Sequence, residues 1–352
     1  TYYDKYTRDQ IVESELSYLS NYQRVIINSG KISNKGWEIS VSGVPVKVKN
    51  FEWKTIFNWS KNNSMVESLP EGIDKIQIGS GVYNVKSYAE VGKPYGAIYA
   101  KTFKRDAEGY ILCQLDGSPK EGQDYEYLGC VQADWRGGWN NVFRLGNFSF
   151  SVMFDFQKGG KFFSQTSIQS SVDGQSVKSL EGRDADFFSR KILGESDEER
   201  YGFMRPQNAN TPTANGQIYP DWGRPKGVVL PNCRYDEDVE GLAGQQVLGY
   251  CTPERYWMHY TSRDISRFIY DASYVKLREI TVSYDLPKKW LRKTPFQTFR
   301  VAAVGRNIAT LFANTPHGLD PQATSTTGNA QGFERGFNLP SATYGFDIKV
   351  SF

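Results

Sequence analysis

Ala342-Thr-Tyr-Gly-Phe-Asp-Ile-Lys-Val-Ser-Phe352 is the stretch that decides the fold. Ala342, Tyr344, Phe346, Ile348, Val350 and Phe352 alternate with Thr343, Gly345, Asp347, Lys349 and Ser351. Successive side chains of a strand point to opposite faces, so this period of two predicts a strand that is apolar on one face and polar on the other. A strand of about ten residues ending on an aromatic ring has the length to cross a bilayer when tilted, with its apolar face to lipid and its polar face to a lumen. A sandwich strand would alternate in the same way, so the other strands must separate the two readings.

Working outward, the same pattern returns. Trp37, Ile39 and Val41 alternate with Glu38, Ser40 and Ser42, but beyond Gly43 the apolar set shifts to Val44, Val46 and Val48, which predicts a bulge near Gly43 and Pro45. A tight turn at Lys49-Asn50 leads into Phe51, Trp53, Phe57 and Trp59 on one face. A second hairpin turns at Gly146-Asn147, and its return strand places Phe148, Phe150, Val152, Phe154 and Phe156 together, with Met153 as the apolar exception opposite. Residues 2–11, 86–91, 96–103, 270–284 (with a phase slip near Arg278-Glu279) and 299–307 read as further strands, and residues 12–28 as a mostly polar connection.

Laid up and down, these strands bring the turns at 49–50, 146–147 and 286–295 to one side and every long loop to the other. Outer-membrane barrels have that asymmetry, and a sandwich has no reason for it. The expected fold is therefore all-β: a transmembrane antiparallel barrel portion of about ten strands with long extracellular loops. Three segments follow: strands and loops over 1–158, a long extracellular loop region over 159–267 without sustained alternation, and C-terminal barrel strands over 268–352. Within the loop region, residues 183–193 read as a short helix closed by Gly194. So few strands are too few to carry that region as a whole protein, and Thr1 is no start methionine, so a portion of a larger barrel is expected.

Composition agrees. Only 39% of the 352 residues are hydrophobic, yet 14% are aromatic, so much of the apolar character sits in rings that suit membrane interfaces. There is no apolar run of about 18 residues, which excludes a transmembrane helix. The mean hydropathy of −0.55 does not exclude a barrel, whose strands are half polar. A net charge of +3 from 42 basic and 39 acidic residues spread along the chain excludes a nucleic-acid partner.

No catalytic constellation is present. The chain lacks Gly-x-Ser-x-Gly, His-Glu-x-x-His, a phosphate-binding loop and Gly-x-Gly-x-x-Gly after a strand, and its two histidines, His259 and His317, lie far apart. No enzymatic activity and no cofactor are expected. The acidic run Asp236, Glu237, Asp238, Glu240 offers carboxylates for calcium, with Asp236 and Asp238 as the candidates, but it lacks the spacing of a dedicated loop. Cys113, Cys130, Cys233 and Cys251 fit no zinc motif. As sequence neighbours in an oxidising compartment they suggest disulfides 113 to 130 and 233 to 251, with free thiols as the alternative. In the long loops, Trp222, Tyr235, Tyr256 and Trp257 are flat faces for a sugar ring, a peptide side chain or a partner, or else packing for the loop itself. Asp155, Arg300, Arg306, Asp347 and Lys349 are expected on the lumen wall.

Several stretches carry a family resemblance. Tyr270-Asp-Ala-Ser-Tyr-Val-Lys-Leu277 through Thr281-Val-Ser-Tyr-Asp-Leu-Pro287, then Lys288-Lys-Trp-Leu-Arg292, Arg300-Val-Ala-Ala-Val-Gly-Arg-Asn307, Gly318-Leu-Asp-Pro321 and Val350-Ser-Phe352 resemble the SusC-like, TonB-dependent transporters of Bacteroidetes-type outer membranes. Asn28-Ser-Gly-Lys-Ile-Ser-Asn-Lys-Gly36, Phe51-Glu-Trp53 and Asp134-Trp-Arg-Gly-Gly138 agree in order and spacing. The resemblance implies the C-terminal part of a barrel of about 22 strands filled by an N-terminal plug. It implies import of oligomeric nutrients, glycans first and oligopeptides second. The implied partners are TonB through the plug, a SusD-like surface lipoprotein as lid, and outer-membrane lipid. It also implies long loops outside the cell, a periplasmic C-terminus, and Phe352 as the terminal aromatic that barrel-assembly machinery reads. A surface binding or adhesion barrel is the rival of another class.

Overall fold

The computed structural model of the protein describes residues 1–8, 10–15, 24–180, 228–251, 255–316, 318–324, 331–336 and 341–352. Among them, eight strands form one up-and-down antiparallel sheet: β1 (Tyr2–Thr7), β2 (Lys31–Val48), β3 (Phe51–Ser68), β4 (Trp135–Leu145), β5 (Phe148–Lys158), β6 (Tyr274–Asp285), β7 (Thr298–Ala313) and β8 (Thr343–Ser351). Each is hydrogen-bonded to the next in chain order.

Side-chain alternation sets the register, because a slip of one residue would turn a whole apolar face over. On the outward face Tyr344, Phe346 and Ile348 of β8 oppose Gly305, Ala303 and Val301 of β7. Tyr284, Val282 and Ile280 of β6 oppose Phe148, Phe150 and Val152 of β5. Trp139 and Phe143 of β4 oppose Phe57 and Trp53 of β3. The predicted phase slips are bulges, one between Gly43 and Val46 and one between Leu277 and Glu279. Phe346 is 86% exposed and Ile348 62%. In water each such side chain would forgo about 1.5–3 kcal/mol of burial free energy, a loss that hydrocarbon removes.

The turns lie side by side on one rim. Gly146 adopts φ +56°, as glycine does at the first central position of a tight hairpin. Its N–H donates to Asn50 O at 2.8 Å, and Asp285 N–H donates to Asn147 O at 2.9 Å. The end of β8 joins the same rim, where Gln297 N–H donates to Ser351 O at 2.8 Å and Phe296 meets Phe352 with ring centres 5.3 Å apart.

The opposite rim carries a folded loop unit in place of irregular coil. Lys75–Ser80, Lys86–Glu90, Ala97–Ala100 and Glu126–Cys130 form one sheet, and Ile111–Cys113, Val228–Tyr235 and Gln246–Cys251 form another. Lys161–Ser164, Ile269–Asp271 and Phe333–Glu334 form a third. Two strands expected in the barrel, 86–91 and 96–103, belong here, so among the described residues the wall has eight strands where about ten were expected. Ala97–Ala100 is buried throughout, and Lys86–Glu90 is half-buried or buried along its length. Neither shows the exposed apolar face of a lipid-facing strand, and each is about half as long as a crossing strand must be. The connection after β1 likewise contains a hairpin, Gln10–Glu15 with Arg24–Ser29. Helix α1 (Gln165–Val172) starts at Ser164, whose Oγ accepts from Ser167 N–H at 3.1 Å. The helix expected over 183–193 lies outside the described residues.

Candidate functional site

The polar face of the wall is its hollow side. Register lines up Glu38 with Ser60 and Ser40 with Asn58, then Arg136 with Ser60 and Gly138 with Asn58, and finally Arg136 with Gln157 and Gly138 with Asp155. Gly138 contributes no side chain at the middle of this array. A concavity of about 590 Å³ opens there, lined among others by Glu38, Ser40, Asn58, Arg136 and Asp155. A second hollow of about 390 Å³ adjoins it, shared by Arg136 and Asp155 with Gln157, Lys161, Tyr274 and Gln322. Hydroxyls, amides and both signs of charge therefore face one space.

The expected lumen charges share this face, and three of them are paired across strands. Arg300 binds Asp285 at 2.6 and 2.8 Å, Arg306 binds Glu279 at 3.0 Å, and Arg278 pairs with Asp155. Asp347 and Lys349 are exposed. Sequence reading missed the centre of the network. Lys276 has no exposed side-chain surface, and its Nζ donates to Asp320 Oδ1 at 2.6 Å and to Gln322 Oε1 at 3.0 Å. Gln322 also accepts from Arg278 at 2.8 Å and donates to Tyr274 Oη at 2.6 Å. Two stretches singled out in the sequence, 270–277 and 318–321, thus meet through one buried ion pair that holds a loop turn against the wall. A lysine at strand period on the polar face was the available signal.

The aromatic candidates of the loop unit turn out to be its core. Tyr235, Tyr256 and Trp257 are 3%, 1% and 2% exposed and lie in one cluster with Cys113, Val228, Val247 and Tyr260. Tyr256 and Trp257 open a single π-helical turn, Tyr256–Tyr260, and their rings meet edge to face at 5.1 Å. They pack the loop onto itself and offer no face to a ligand. Trp222 lies outside the described residues.

Asp236 and Asp238, the calcium candidates, are held by lysines. Lys120 Nζ reaches Asp236 Oδ2 at 2.7 Å and also bonds Asp238, while Lys104 Nζ reaches Asp236 at 2.9 and 3.0 Å. Burial alone would raise the Asp236 pKa, but the hydrogen bonds from Lys120 and Lys104 outweigh it and bring the carboxyl down to about 2. Both carboxylates are thereby paired with ammonium groups.

All four cysteines are free thiols, and the expected pairs 113 to 130 and 233 to 251 are not brought together. The parallel pairing of Ile111–Cys113 with Val228–Tyr235 sets Ile111 opposite Cys233 and Cys113 opposite Tyr235, and the Cys113 and Cys233 thiols hydrogen-bond to each other. A β-carbon at Gly249 would fall 2.7 Å from Cys233 Sγ and 3.2 Å from Cys113 Sγ. Across its hairpin Cys233 faces Val247, whereas Cys251 faces Val228. Cys130 sits on another sheet, with its Sγ 3.5 Å from Tyr95 O. The hydrogen bond to Cys233 and then burial raise the Cys113 pKa far above the ordinary thiol range, and burial pushes Cys251 up to about 12.

Wall, rims and hollow define the class: an all-β membrane barrel portion of the outer-membrane type. No protein-family model matches the chain. Its sequence is similar to that of TonB-dependent receptor P3 of Formosa agariphila, at 24% identity over 365 aligned positions, covering 97% of this chain and 30% of the receptor. TonB-dependent receptor P26 of the same organism matches 46% of the chain at 26% identity, covering 18% of that receptor. In fold the chain is similar to the RagAB peptide importer in its closed-closed state, with TM-score 0.57 and 17% identity, covering all of this chain and 33% of the solved one. The open-open state of that importer gives TM-score 0.55 at 16% identity, covering all of this chain and 32% of that one. The chain thus spans about a third of the length of these proteins. Sequence along nearly all its length is similar to that of a TonB-dependent receptor, and the fold along all of it is that of an all-β barrel portion.

Proposed function

We propose that the chain forms part of the wall of an outer-membrane importer that takes up oligomeric nutrients with energy supplied through TonB. The observation that carries this reading is the one-sided wall: an apolar outer face, a hollow polar inner face, short turns on one rim and a folded loop unit on the other. The loop rim faces outside the cell and the turn rim the periplasm, as short turns and long loops do in such barrels. A plug carrying the TonB box and a SusD-like lipoprotein lid complete the machine, cargo being caught between lid and barrel before the plug moves.

Glycan is the cargo we favour. The hollow around Gly138 presents hydroxyl, amide, carboxylate and guanidinium groups side by side, a mixture suited to the many hydroxyls of a saccharide. An oligopeptide is the second reading, favoured by the likeness to the RagAB peptide importer. The full-length gene product, extracted from outer membranes and identified with everything that co-purifies, is the test. Recovery with a lipoprotein partner, and growth on oligosaccharides that fails when the gene is deleted, is expected. Growth lost on oligopeptides alone would move the cargo to peptide. Recovery without any plug-bearing segment would favour the surface-binding barrel.

A further inference from the structure

The turn between β6 and β7 differs from its neighbours on the rim. Pro287-Lys-Lys-Trp-Leu-Arg-Lys-Thr-Pro295 places Lys288, Lys289, Arg292 and Lys293 within six residues, and all four are exposed. No carboxylate among the described residues pairs with any of them, and the adjacent acid, Asp285, is already held by Arg300. Cations packed this closely repel one another, so the turn has no internal reason to keep all four.

The turn is built and not loose. A short helical segment, Lys288–Leu291, seats Leu291 at 7% exposed, while Trp290 N–H donates to Pro287 O and Thr294 N–H to Leu291 O, both at 2.9 Å. Trp290 is nevertheless 60% exposed. Just inside the turn begins the apolar outer face, where the Phe296 ring meets those of Phe299 and Phe352 at a tilt, with centres 5.9 and 5.3 Å apart, and Tyr284 meets Phe148 at 4.6 Å. An exposed indole and four unpaired cations thus stand at the edge of a hydrocarbon-facing band. That is the depth at which lipid headgroups lie, where indoles settle and where basic side chains gain from anionic phosphodiesters.

We infer that the turn 286–297 is a docking surface for anionic phospholipid headgroups in the leaflet that the turn rim meets. Lys288, Lys289, Arg292 and Lys293 hold the phosphodiesters, and Trp290 inserts between the headgroups. The inference rests on the membrane-wall reading above but requires neither cargo nor energy coupling. Lipid binding in the absence of transport would therefore overturn only the import reading.

The test places the full-length gene product in lipid nanodiscs of mixed phosphatidylglycerol and phosphatidylcholine and counts the lipids retained on the protein. A cation near an anionic surface is worth about a fivefold preference. Phosphatidylglycerol should therefore be retained several-fold over phosphatidylcholine, and the preference should collapse at high salt. The quadruple variant K288Q/K289Q/R292Q/K293Q should lose the preference while keeping the heat-modifiable gel mobility of a folded barrel. Should it fail to fold, the salt dependence of the unaltered protein and the milder pair K288Q/K289Q, expected to lose part of the preference, carry the test. Equal retention of both lipids, a salt-independent preference, or a preference unchanged in the variants would overturn the inference. So would displacement of the lipid by inorganic phosphate at low concentration, which would mark a free-phosphate site.

Discussion

Asn141 stands on the face that meets lipid, where a polar side chain needs a reason. It shares that face with Trp139 and Phe143 of β4, yet it is only 3% exposed, and its Oδ1 accepts from Trp53 Nε1–H at 3.0 Å. Trp139 Nε1–H donates likewise to Thr55 Oγ1 at 2.9 Å. Water is absent from hydrocarbon, so each indole proton must find its acceptor within the wall. Asn141→Leu leaves the Trp53 proton without an acceptor and should cost about 1–3 kcal/mol, read as a lower urea midpoint of the barrel in lipid vesicles. Adding Trp53→Phe removes the orphaned donor and should restore most of the loss; a double variant as weak as the single one would mean that packing, not the hydrogen bond, is at stake. In the loop unit Asp236 makes the equivalent case for charge. Its pKa is lowered to about 2 from the usual 3.8, so its contribution is full above about pH 4 and is lost as pH falls toward 2. Cleavage of the loop unit by pepsin should rise across that window. Asp236→Asn should already be cleaved readily at pH 4, and a variant indistinguishable from the unaltered protein would remove Asp236 from the account.

At the scale of elements, buried polar contacts tie the loop segments to the wall and to one another. The Lys276 to Asp320 pair, with Gln322 and Arg278, fastens the turn 318–324 to β6. Glu334 fastens the next described segment to α1, accepting from Ser164 Oγ at 2.6 Å and from Thr166 N–H at 3.0 Å. Removing one member of a buried pair strands the other charge, at a cost of about 3–5 kcal/mol. Lys276→Met should therefore raise hydrogen exchange over 318–324 and 331–336 with the wall strands unchanged. The double variant Lys276→Met, Asp320→Leu should exchange less than the single, and equal exchange in both would mean that the clamp is not electrostatic. The wall was legible in the sequence because one wet face and one greasy face impose a strict period, so even its bulges at Gly43 and Glu279 appeared as phase slips. The loop unit was not. Ala97–Ala100 is buried throughout, which erases alternation, and the neighbours of Cys113 come from a strand more than a hundred residues away. Tyr256 and Trp257 read equally well as contacts or as core, since a ring suits both, and only burial decided between them. Lys276 passed unnoticed inside a stretch that resemblance marks without assigning it chemistry.

For the whole molecule, the open sheet makes the strongest demand. Among the described residues β1 and β8 each pair on one side only, so the wall ends in two free edges. The β8 edge carries Tyr344, Phe346 and Ile348, all well exposed, and a long apolar edge of this kind invites pairing with any other strand. The outer face adds exposed apolar side chains on neighbouring strands, among them Val41, Phe57, Trp139, Phe148 and Val282, and soluble monomers rarely expose large patches of this kind. The 352-residue chain produced alone should therefore need detergent, and in its absence should elute as large, polydisperse assemblies by size exclusion with light scattering. The full-length gene product, if it supplies the strands that cover both edges, should be monodisperse in detergent. A soluble, monodisperse monomer of this chain without detergent would mean that the outer face is covered by the protein itself, and the barrel wall would have to be abandoned along with the importer built on it.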